Sequence, residues 1–404
     1  MTRRSVKMFG ILRRLGHRIA AWDEEGLVHF SPENYFARRL SAPALSQISM
    51  LFAWGEENAE LFRKYPQFPD VPIHVTGNPR GDLLRPELRG YWAEDTARIR
   101  ERFGDFVLIN TNYAMVNAFL PTLNLLVPGD GSSGAPEMGA AAVGLPADFA
   151  LGLAAHKRAI FERFLELPRA LGRAFPDLTI VVRPHPSEDP VPWQEAVSGC
   201  DRAHVVQEGN VVPWLLASRA QVHNGCTTAV EAFALDVPAL AYQPVRSERF
   251  DLELPNRLSR SCSDLAELRE ALDGVLSGSS PVSLGPESDR LLDHHLCART
   301  GPLASEGIVD CLQASDAVAT GLPRPALADL ASGWAAASWR RLVKQGIKAR
   351  VAGHRNDPKF QRHRFAGVSA DELRRRIGRL GRALGRFERV EVRSLAEHVF
   401  EIVG

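Results

Sequence analysis

The chain contains few cysteines, and none of them is spaced as a metal or disulfide motif. The five cysteines of its 404 residues have no C-x-x-C spacing. This pattern disfavours a zinc site or a disulfide framework and indicates a reducing compartment. No apolar run approaches the roughly 18 residues that a membrane-spanning helix needs, and no signal-peptide core follows the basic start. We therefore expect a cytoplasmic protein.

Charge and glycine spacing exclude further classes of function. A net charge of +1 provides no general attraction to nucleic acid. No Walker-type glycine loop is present, and no G-x-G-x-x-G follows the first strand of the expected second domain, which disfavours a nicotinamide enzyme. No His or carboxylate spacing indicates a metal, so we expect no cofactor.

Alternating strand-like and helix-like segments predict an α/β protein with a parallel, doubly wound sheet. We expect a short N-terminal α/β domain over residues 1–90, with so few strands that it resembles a truncated domain. A Rossmann-like domain is expected over 100–280, and its Gly-, Ala-, Ser- and Pro-rich residues 127–149 predict a mobile loop or lid. A helical segment and linker over 287–334 and a basic helical tail over 335–404 complete the prediction.

The most informative stretch predicts a strand, a glycine turn, a helix and a second strand. The apolar run Ala220–His223 ends at Asn224-Gly225, and Thr227-Thr228 open the helix. Unpaired N–H groups at a helix start, together with two hydroxyls, would hold a phosphate. Glu231, one turn further along, would reach a ribose hydroxyl. An ordinary capped helix would show the same pattern.

Two further polar segments follow predicted strands of the same domain. A β-branched run ends in Arg183-Pro184-His185-Pro186, where the prolines stop the strand and hold His185 in an extended loop. Asn110-Thr111-Asn112 follows the predicted strand Phe106–Ile109. Ligands of open α/β sheets bind beyond the carboxyl ends of the strands, so we take Arg183, His185, Pro186, Thr111 and Asn112 as candidate nucleotide-binding residues.

Three consecutive carboxylates lie near the N-terminus. Asp23, Glu24 and Glu25 follow the short predicted strand Arg18–Trp22 and precede Gly26. Repulsion between like charges raises the pKa of one carboxyl group, which suits a general base. A solvated acidic turn would have the same composition.

These segments together resemble a known set of motifs. Glu24-Glu25-Gly26, His185-Pro186 and Thr227-Thr228 occur in the order found in bacterial sialyltransferases and in the β-Kdo transferases of capsule and lipopolysaccharide assembly. Val75-Thr76-Gly77-Asn78-Pro79 and the stretch His223–Tyr242 are similar to segments of the non-hydrolysing UDP-N-acetylglucosamine 2-epimerases and related GT-B proteins.

The resemblance covers roughly Arg18–Leu276 and implies a GT-B-like fold of two Rossmann-like domains with a CMP-type donor such as CMP-Kdo. It implies that Glu24, with Asp23 and Glu25 as alternatives, deprotonates an acceptor hydroxyl while His185 and the threonine pair hold the leaving phosphate. The predicted function is a glycosyltransferase acting on a glycan or lipid-linked acceptor. A UDP-N-acetylhexosamine 2-epimerase-like enzyme and a non-catalytic nucleotide- or glycan-binding partner of a polysaccharide assembly complex remain as alternatives.

The C-terminal tail is strongly basic. From Trp339 onward, arginine and lysine far outnumber acidic residues. A capping box at Ser369–Glu372 predicts a helix, whose apolar stripe is Leu373, Ile377, Leu380 and Leu384. We expect this stripe to pack on the protein while the arginines face outward, either as a structural brace or on anionic lipid at the inner face of the cell membrane. Nucleic acid is not an expected partner, because the tail has few aromatic residues for base stacking.

Overall fold

The computed structural model describes residues 1–2, 5–129, 136–279, 282, 284–315, 322, 324–351, 356–364, 367–396 and 398–404. It places a three-stranded and a six-stranded parallel sheet in two successive α/β regions. The α/β fold with parallel sheets that the sequence predicts is thereby confirmed.

The N-terminal region is a small parallel sheet with its own core. Its strands are β1 (Ala20–Ala21), β2 (Met50–Ala53) and β3 (Ile73–Val75), in that order. Its helices are α1 (Val6–Arg14), α2 (Pro32–Arg39), α3 (Ala42–Leu45), α4 (Glu56–Arg63) and α5 (Pro79–Asp82). Leu45, Leu51 and Phe62 are fully buried between sheet and helices. The sequence patterns had not identified β2, which lies between β1 and β3 in the sheet.

The second region is built on a fully parallel sheet of order β11-β10-β9-β4-β7-β8. The strands are β4 (Phe106–Asn110), β7 (Thr179–Arg183), β8 (Ala203–Val205), β9 (Ala220–His223), β10 (Ala239–Tyr242) and β11 (Arg260–Cys262). Phe106 and Leu108 pack into one apolar core, whereas Val107 and Ile109 pack into another on the opposite face. Alternate residues of a strand point to opposite faces, so an unbroken apolar run is buried on both.

Helices cover both faces of this sheet. They are α6 (Ala93–Phe103), α7 (Ala147–Ala174), α8 (Val191–Val197), α9 (Val211–Ala217), α10 (Thr228–Ala234), α11 (Glu253–Arg257) and α12 (Leu265–Ser277). A 3₁₀ helix, Pro86–Trp92, leads from the N-terminal region into α6.

The segment predicted as a mobile loop has structure at both ends. Leu126–Val127 (β5) pairs with Glu137–Met138 (β6), and Leu125 and Ala142 are buried with residues at the start of α7. Residues 130–135 of the predicted loop lie outside the described residues.

After α12 the chain returns to the N-terminal region through α13 (Pro286–His295) and α14 (Ala304–Gln313). The Cys297 amide donates to the Trp54 carbonyl at 2.8 Å. The Asp82 carboxylate accepts from the Ala304 and Ser305 amides at the start of α14, at 2.7 and 3.0 Å. These bonds join the two regions on either side of the cleft described below.

The tail is helical first and ends in an antiparallel hairpin. Its helices are α15 (Leu327–Arg341), α16 (Pro358–Arg364) and α17 (Ala370–Leu384), and its strands are β12 (Glu391–Ala396) and β13 (Val399–Val403). A π-helical turn, Leu342–Ile347, continues α15. The tail was predicted to be helical throughout, so its C-terminal hairpin was not predicted.

Helix α17 begins as its capping box predicts, with the Ser369 hydroxyl accepting from the Glu372 amide at 3.1 Å. Most of the arginines on and just after this helix face outward as predicted, since the side chains of Arg375, Arg382 and Arg386 are 63%, 69% and 55% exposed. Arg379 is only 16% exposed and pairs with Glu94 and Asp95 of α6, and Arg386 pairs with Glu306 of α14. The helix therefore braces the body of the protein.

Candidate functional site

The order of the large sheet creates a crevice between β4 and β9. From β4 the chain continues to β7 on one side, and from β9 it continues to β10 on the other side. Such a switch point opens a crevice beyond the carboxyl ends of the two strands, where α/β proteins bind ligands. The Asn112 amide after β4 donates to the Gly225 carbonyl after β9 at 3.0 Å, across this crevice.

A cleft of about 140 Å³ lies between the N-terminal region and this edge of the large sheet. Five of the candidate residues from the sequence line it together: Glu24, Glu25, His185, Thr227 and Glu231. Trp54, Arg80 and Leu296 complete much of the wall. Residues from both α/β regions thus face one another in a single cleft.

Arg80 is the cation between the carboxylates of this cleft. Its Nη2 lies 2.9 Å from Glu231 Oε1 of the second region, and its Nη1 lies 3.9 Å from Glu24 Oε2. The guanidinium also lies over the Trp54 ring, 5.8 Å from the ring centroid. Glu24 additionally accepts a hydrogen bond from the Trp22 indole N–H, and its side chain is 52% exposed.

The environment of Glu231 shifts its ionisation. Burial raises the pKa of this carboxyl group above its usual value, and the ion pair with Arg80 opposes the shift. A carboxylate in this position depends on its cation to remain charged.

His185 is held at the cleft by its own loop. Its Nδ1 accepts from the Ser187 amide at 3.1 Å, so the neutral ring carries its proton on Nε2 and can donate a hydrogen bond from that atom. Its backbone amide donates to Glu188 Oε1 at 3.1 Å.

Glu188 is fully buried beneath this loop. Its carboxylate also accepts from the Thr111 hydroxyl, the Tyr113 amide and the Trp193 indole, at 2.7, 3.0 and 3.0 Å. Burial raises the pKa of Glu188, and these four hydrogen bonds act against the rise. The side chain ties the segments after β4 and β7 together and so positions His185.

The threonine pair divides into two roles. Thr227 lines the cleft at the N-cap of α10, but its side chain does not cap the helix. Thr228 instead accepts from the Gln221 amide at 2.5 Å and donates to Cys226 Sγ at 3.1 Å. Of the two hydroxyls, that of Thr227 is therefore the one at the cleft, whereas that of Thr228 is bonded to Gln221 and Cys226.

Several predicted contact residues support the site from behind. Asn224 is buried and donates to the Tyr242 carbonyl at 2.9 Å, and the Gly225 amide donates to Asn256 at 3.0 Å. Arg183 is buried and donates to the Glu208 and Gly209 carbonyls, and burial lowers its pKa to about 10. Neither Arg183 nor Pro186, Thr111 or Asn112 is among the residues that line the cleft.

Asp23, the alternative to Glu24 as base, makes buried contacts and is not among the residues that line the cleft. Its buried carboxylate accepts from the Tyr35 hydroxyl at 2.8 Å, from Arg39 and from the Glu25 amide at 3.2 Å. Burial raises the pKa of Asp23, but Arg39 and Tyr35 outweigh it and the net pKa is lowered. The expectation that repulsion raises a pKa in the acidic cluster fails at this residue, because its neighbours are cationic or donate hydrogen bonds.

Two residues of the site were missed by sequence reasoning. Arg80 directly follows the segment Val75–Pro79, and Glu188 ends the RPHPSE run, so both lie beside noted motifs. No local sequence pattern indicates that Arg80 contacts Glu231 or that Glu188 contacts Thr111, because these partners are distant in the sequence. Within the described residues, no group of three or more His, Cys, Asp or Glu side chains is arranged to hold a metal ion.

Solved structures with a similar fold share little sequence with this chain. The S. aureus MnaA–UDP structure shares 15% identity over 81% of this chain and 82% of its own, with a TM-score of 0.44. The Anabaena HepE complex with UDP and glucose shares 12% identity over 78% and 77%, with a TM-score of 0.41. The wall teichoic acid polymerase TagF shares 15% identity over 67% of this chain and 59% of its own, with a TM-score of 0.40.

This chain therefore spans less than two thirds of the polymerase. No protein-family model matches the chain, and no curated protein sequence matches it. At these TM-scores the similarities assign no activity and no ligand.

Proposed function

We propose that the protein is a glycosyltransferase that moves a sugar from a nucleotide-activated donor to a hydroxyl of a glycan or lipid-linked acceptor. The observation that carries the proposal is the meeting of Glu24, His185 and Thr227 in one cleft, although they come from different α/β regions. Transfer needs a base on the acceptor side and hydrogen-bond donors on the phosphate side. Glu24 on the wall of the N-terminal region could be the base, and His185 and Thr227 on the opposite wall could be the donors.

In the proposed reaction, Glu24 takes the proton of the acceptor hydroxyl. The acceptor oxygen then bonds to the anomeric carbon, and the bond from that carbon to the phosphate oxygen breaks. The electron pair leaves with the nucleotide, whose new negative charge accepts hydrogen bonds from His185 Nε2–H and the Thr227 hydroxyl. The exposed half of the Glu24 side chain is its access to the acceptor.

Donor binding requires the cleft to change. Its 140 Å³ is smaller than the roughly 300–1,000 Å³ of ligand pockets, so a whole nucleotide sugar does not fit between the closed walls. The Arg80–Glu231 pair holds the walls together. On donor binding, Arg80 exchanges Glu231 for the donor phosphate, and Glu231 becomes available to a ribose hydroxyl.

The donor class and the cellular compartment follow from the sequence resemblance and the cysteines. A CMP-type donor carrying an acidic sugar such as Kdo is the first to test, with UDP donors second. The five free cysteines fit a reducing, cytoplasmic compartment. No helix in the described ranges is long and apolar enough to cross a membrane.

Calorimetric titration of CMP, CDP and UDP tests the nucleotide site. We expect one nucleotide to bind, and His185→Ala to weaken it about ten- to a hundredfold through loss of one charge-assisted hydrogen bond. His17→Ala is the control, because His17 is exposed and does not line the cleft. Absence of binding, or equal affinity in both variants, would overturn the site.

Turnover separates the transferase from the alternatives. Release of free nucleotide from the sugar donor in the presence of a glycan acceptor supports transfer. Interconversion of UDP-N-acetylhexosamine epimers without acceptor would identify the epimerase-like enzyme. Nucleotide binding without either reaction across a panel of acceptors would identify a non-catalytic partner.

A further inference from the structure

Helix α15 presents an apolar face to solvent. At about 100° per residue, one side of the helix carries Leu327, Ala331, Trp334, Ala335, Trp339 and Leu342 of the following turn. Leu327 is 84%, Trp334 68% and Trp339 66% exposed. Isolated exposed apolar residues are common, but two tryptophans and two leucines on one helix face form a continuous surface.

The opposite side of α15 is already occupied. Gly333 is buried against Leu15 and Arg14 of the α1 segment, and the two helices are in extensive contact. Helix α15 therefore packs on the protein through the side that carries Gly333, and its apolar outward face is additional to that packing surface.

Basic residues follow this face along the chain and lie on the adjoining helix α1. Between Asp329 and Asp357 the sequence contains no acidic residue, but it contains Arg340, Arg341, Lys344, Lys348 and Arg350. The neighbouring α1 also has no acidic residue and exposes Lys7, Arg13 and Arg14. Among the described residues, Arg340, Arg341 and Lys348 form no ion pair, whereas the arginines of α17 are largely paired with acids.

We propose that the outward face of α15, with the basic turn that follows it and the adjoining basic side of α1, is a docking surface for a bilayer rich in anionic phospholipid. Tryptophans with one apolar body and one N–H donor favour the boundary between headgroups and acyl chains. Leucines at the same level enter the acyl region, and arginine and lysine heads reach the phosphates.

Charge complementarity favours lipid over a second copy of the chain. Two copies that met through this face would bring two acid-free basic zones together, which is repulsive. The surface is also distinct from α17, on which the sequence had placed membrane contact, and from the cleft. Its occupancy does not depend on the proposed sugar transfer.

Co-sedimentation of the full chain with lipid vesicles tests the surface. We expect binding to phosphatidylcholine vesicles that contain phosphatidylglycerol, weak binding to phosphatidylcholine alone, and a loss of binding as salt rises. Trp334→Ser/Trp339→Ser should lower the vesicle affinity about tenfold or more, because both aromatic anchors are lost. Arg340→Gln/Arg341→Gln should lower it about fivefold for each charge on anionic vesicles only.

Matched variants at other exposed positions provide the controls. Leu395→Ser/Ile402→Ser removes exposed apolar residues of the C-terminal hairpin, and Arg374→Gln/Arg375→Gln removes basic residues of α17. Both should bind vesicles as the unaltered chain does. Circular dichroism and thermal unfolding confirm that the variants fold, as is expected for such exposed positions.

Three results would overturn the proposal. These are no binding to anionic vesicles at low salt, unchanged binding in the double tryptophan variant, or equal losses in the control variants. A fourth result would come from light scattering without lipid. If the unaltered chain is an oligomer and the tryptophan substitutions dissociate it, the outward face of α15 is an interface between protein chains instead.

Discussion

Arg80 and Glu231 form an ion pair at 2.9 Å although they are 151 residues apart in sequence. Arg80 belongs to the short helix after β3, and Glu231 to the helix after β9. The pair closes the cleft between the two α/β regions and also places the guanidinium beside Glu24. One side chain therefore connects the proposed base with the phosphate side of the site.

Loss of Arg80 should make stability depend on pH. Burial raises the pKa of Glu231, and without its cation this pKa rises further. A raised folded pKa stabilises the fold below the unfolded pKa of about 4.3, and this contribution disappears as pH rises through the folded value. Arg80→Ala should therefore become progressively less stable than the unaltered chain from pH 4 to pH 8, as followed by thermal unfolding.

Arg89→Ala is the matched control for Arg80. Arg89 also joins the two regions, through Asp236 at 2.7 Å, but Asp236 is 80% exposed. Arg89→Ala should lower the free energy of unfolding by at most about 1 kcal/mol, and this difference should change little between pH 4 and pH 8. Parallel pH profiles for the two variants would contradict the role given to Glu231.

Glu24→Gln should abolish transfer and leave nucleotide affinity nearly unchanged. The amide cannot accept the acceptor proton, whereas the donor phosphate is held by other residues. Initial rates and calorimetry on one preparation measure both effects. Glu25 lines the same cleft, and Glu25→Gln should retain activity. If Glu25→Gln is inactive while Glu24→Gln is active, the base is Glu25.

Glu188→Gln should impair both stability and nucleotide binding. The amide nitrogen cannot accept hydrogen bonds, so at least one of the four buried donors loses its acceptor, at about 1–3 kcal/mol. The loop that places His185 should shift as a result. His185→Ala should weaken binding without this loss of stability, and the exposed Glu195→Gln should change neither. Wild-type unfolding and affinity in Glu188→Gln would refute the positioning role.

Asp23 should stabilise the fold at neutral pH, and this contribution to the free energy of unfolding should be lost in acid. Its lowered folded pKa stabilises the fold above the unfolded pKa of about 3.9, and the contribution is lost as pH falls through the folded value. At pH 7, Asp23→Asn should cost about 3 kcal/mol, near the low end for a buried ion pair because Arg39 is partly exposed. Denaturant unfolding should show this difference shrinking below pH 4, while the exposed Asp201→Asn shows none.

Two arginines of α17 should differ in their effect on stability. Arg379 bonds Glu94 and Asp95 of another helix, whereas Arg375 bonds only Glu372 of its own helix. Arg379→Ala should therefore lower the unfolding free energy by about 1–2 kcal/mol, and Arg375→Ala by about 0.5 kcal/mol or less. Equal thermal midpoints for the two variants would mean that the helix does not brace the protein.

Much of the fold was predictable from local sequence. The strand Ala220–His223 has the bounds that its residue pattern indicates, and the predicted strand Phe106–Ile109 is one residue shorter than β4, because strand patterns and turn residues act over a few positions. The His185 loop was recognisable for the same reason, since its prolines act on adjacent residues. The sequence patterns did not identify the strands β11 and β2.

The sequence by itself determined the order of strands and helices, and the three polar motifs at their ends. Only the tertiary structure decided which of three adjacent acids is buried against Arg39, that Arg80 reaches Glu231, and that the arginines of α17 face acids while α15 leaves its tryptophans in solvent. Periodicity and capping are properties of neighbouring residues. Ionisation, pairing and exposure depend instead on groups that folding brings together from distant parts of the chain.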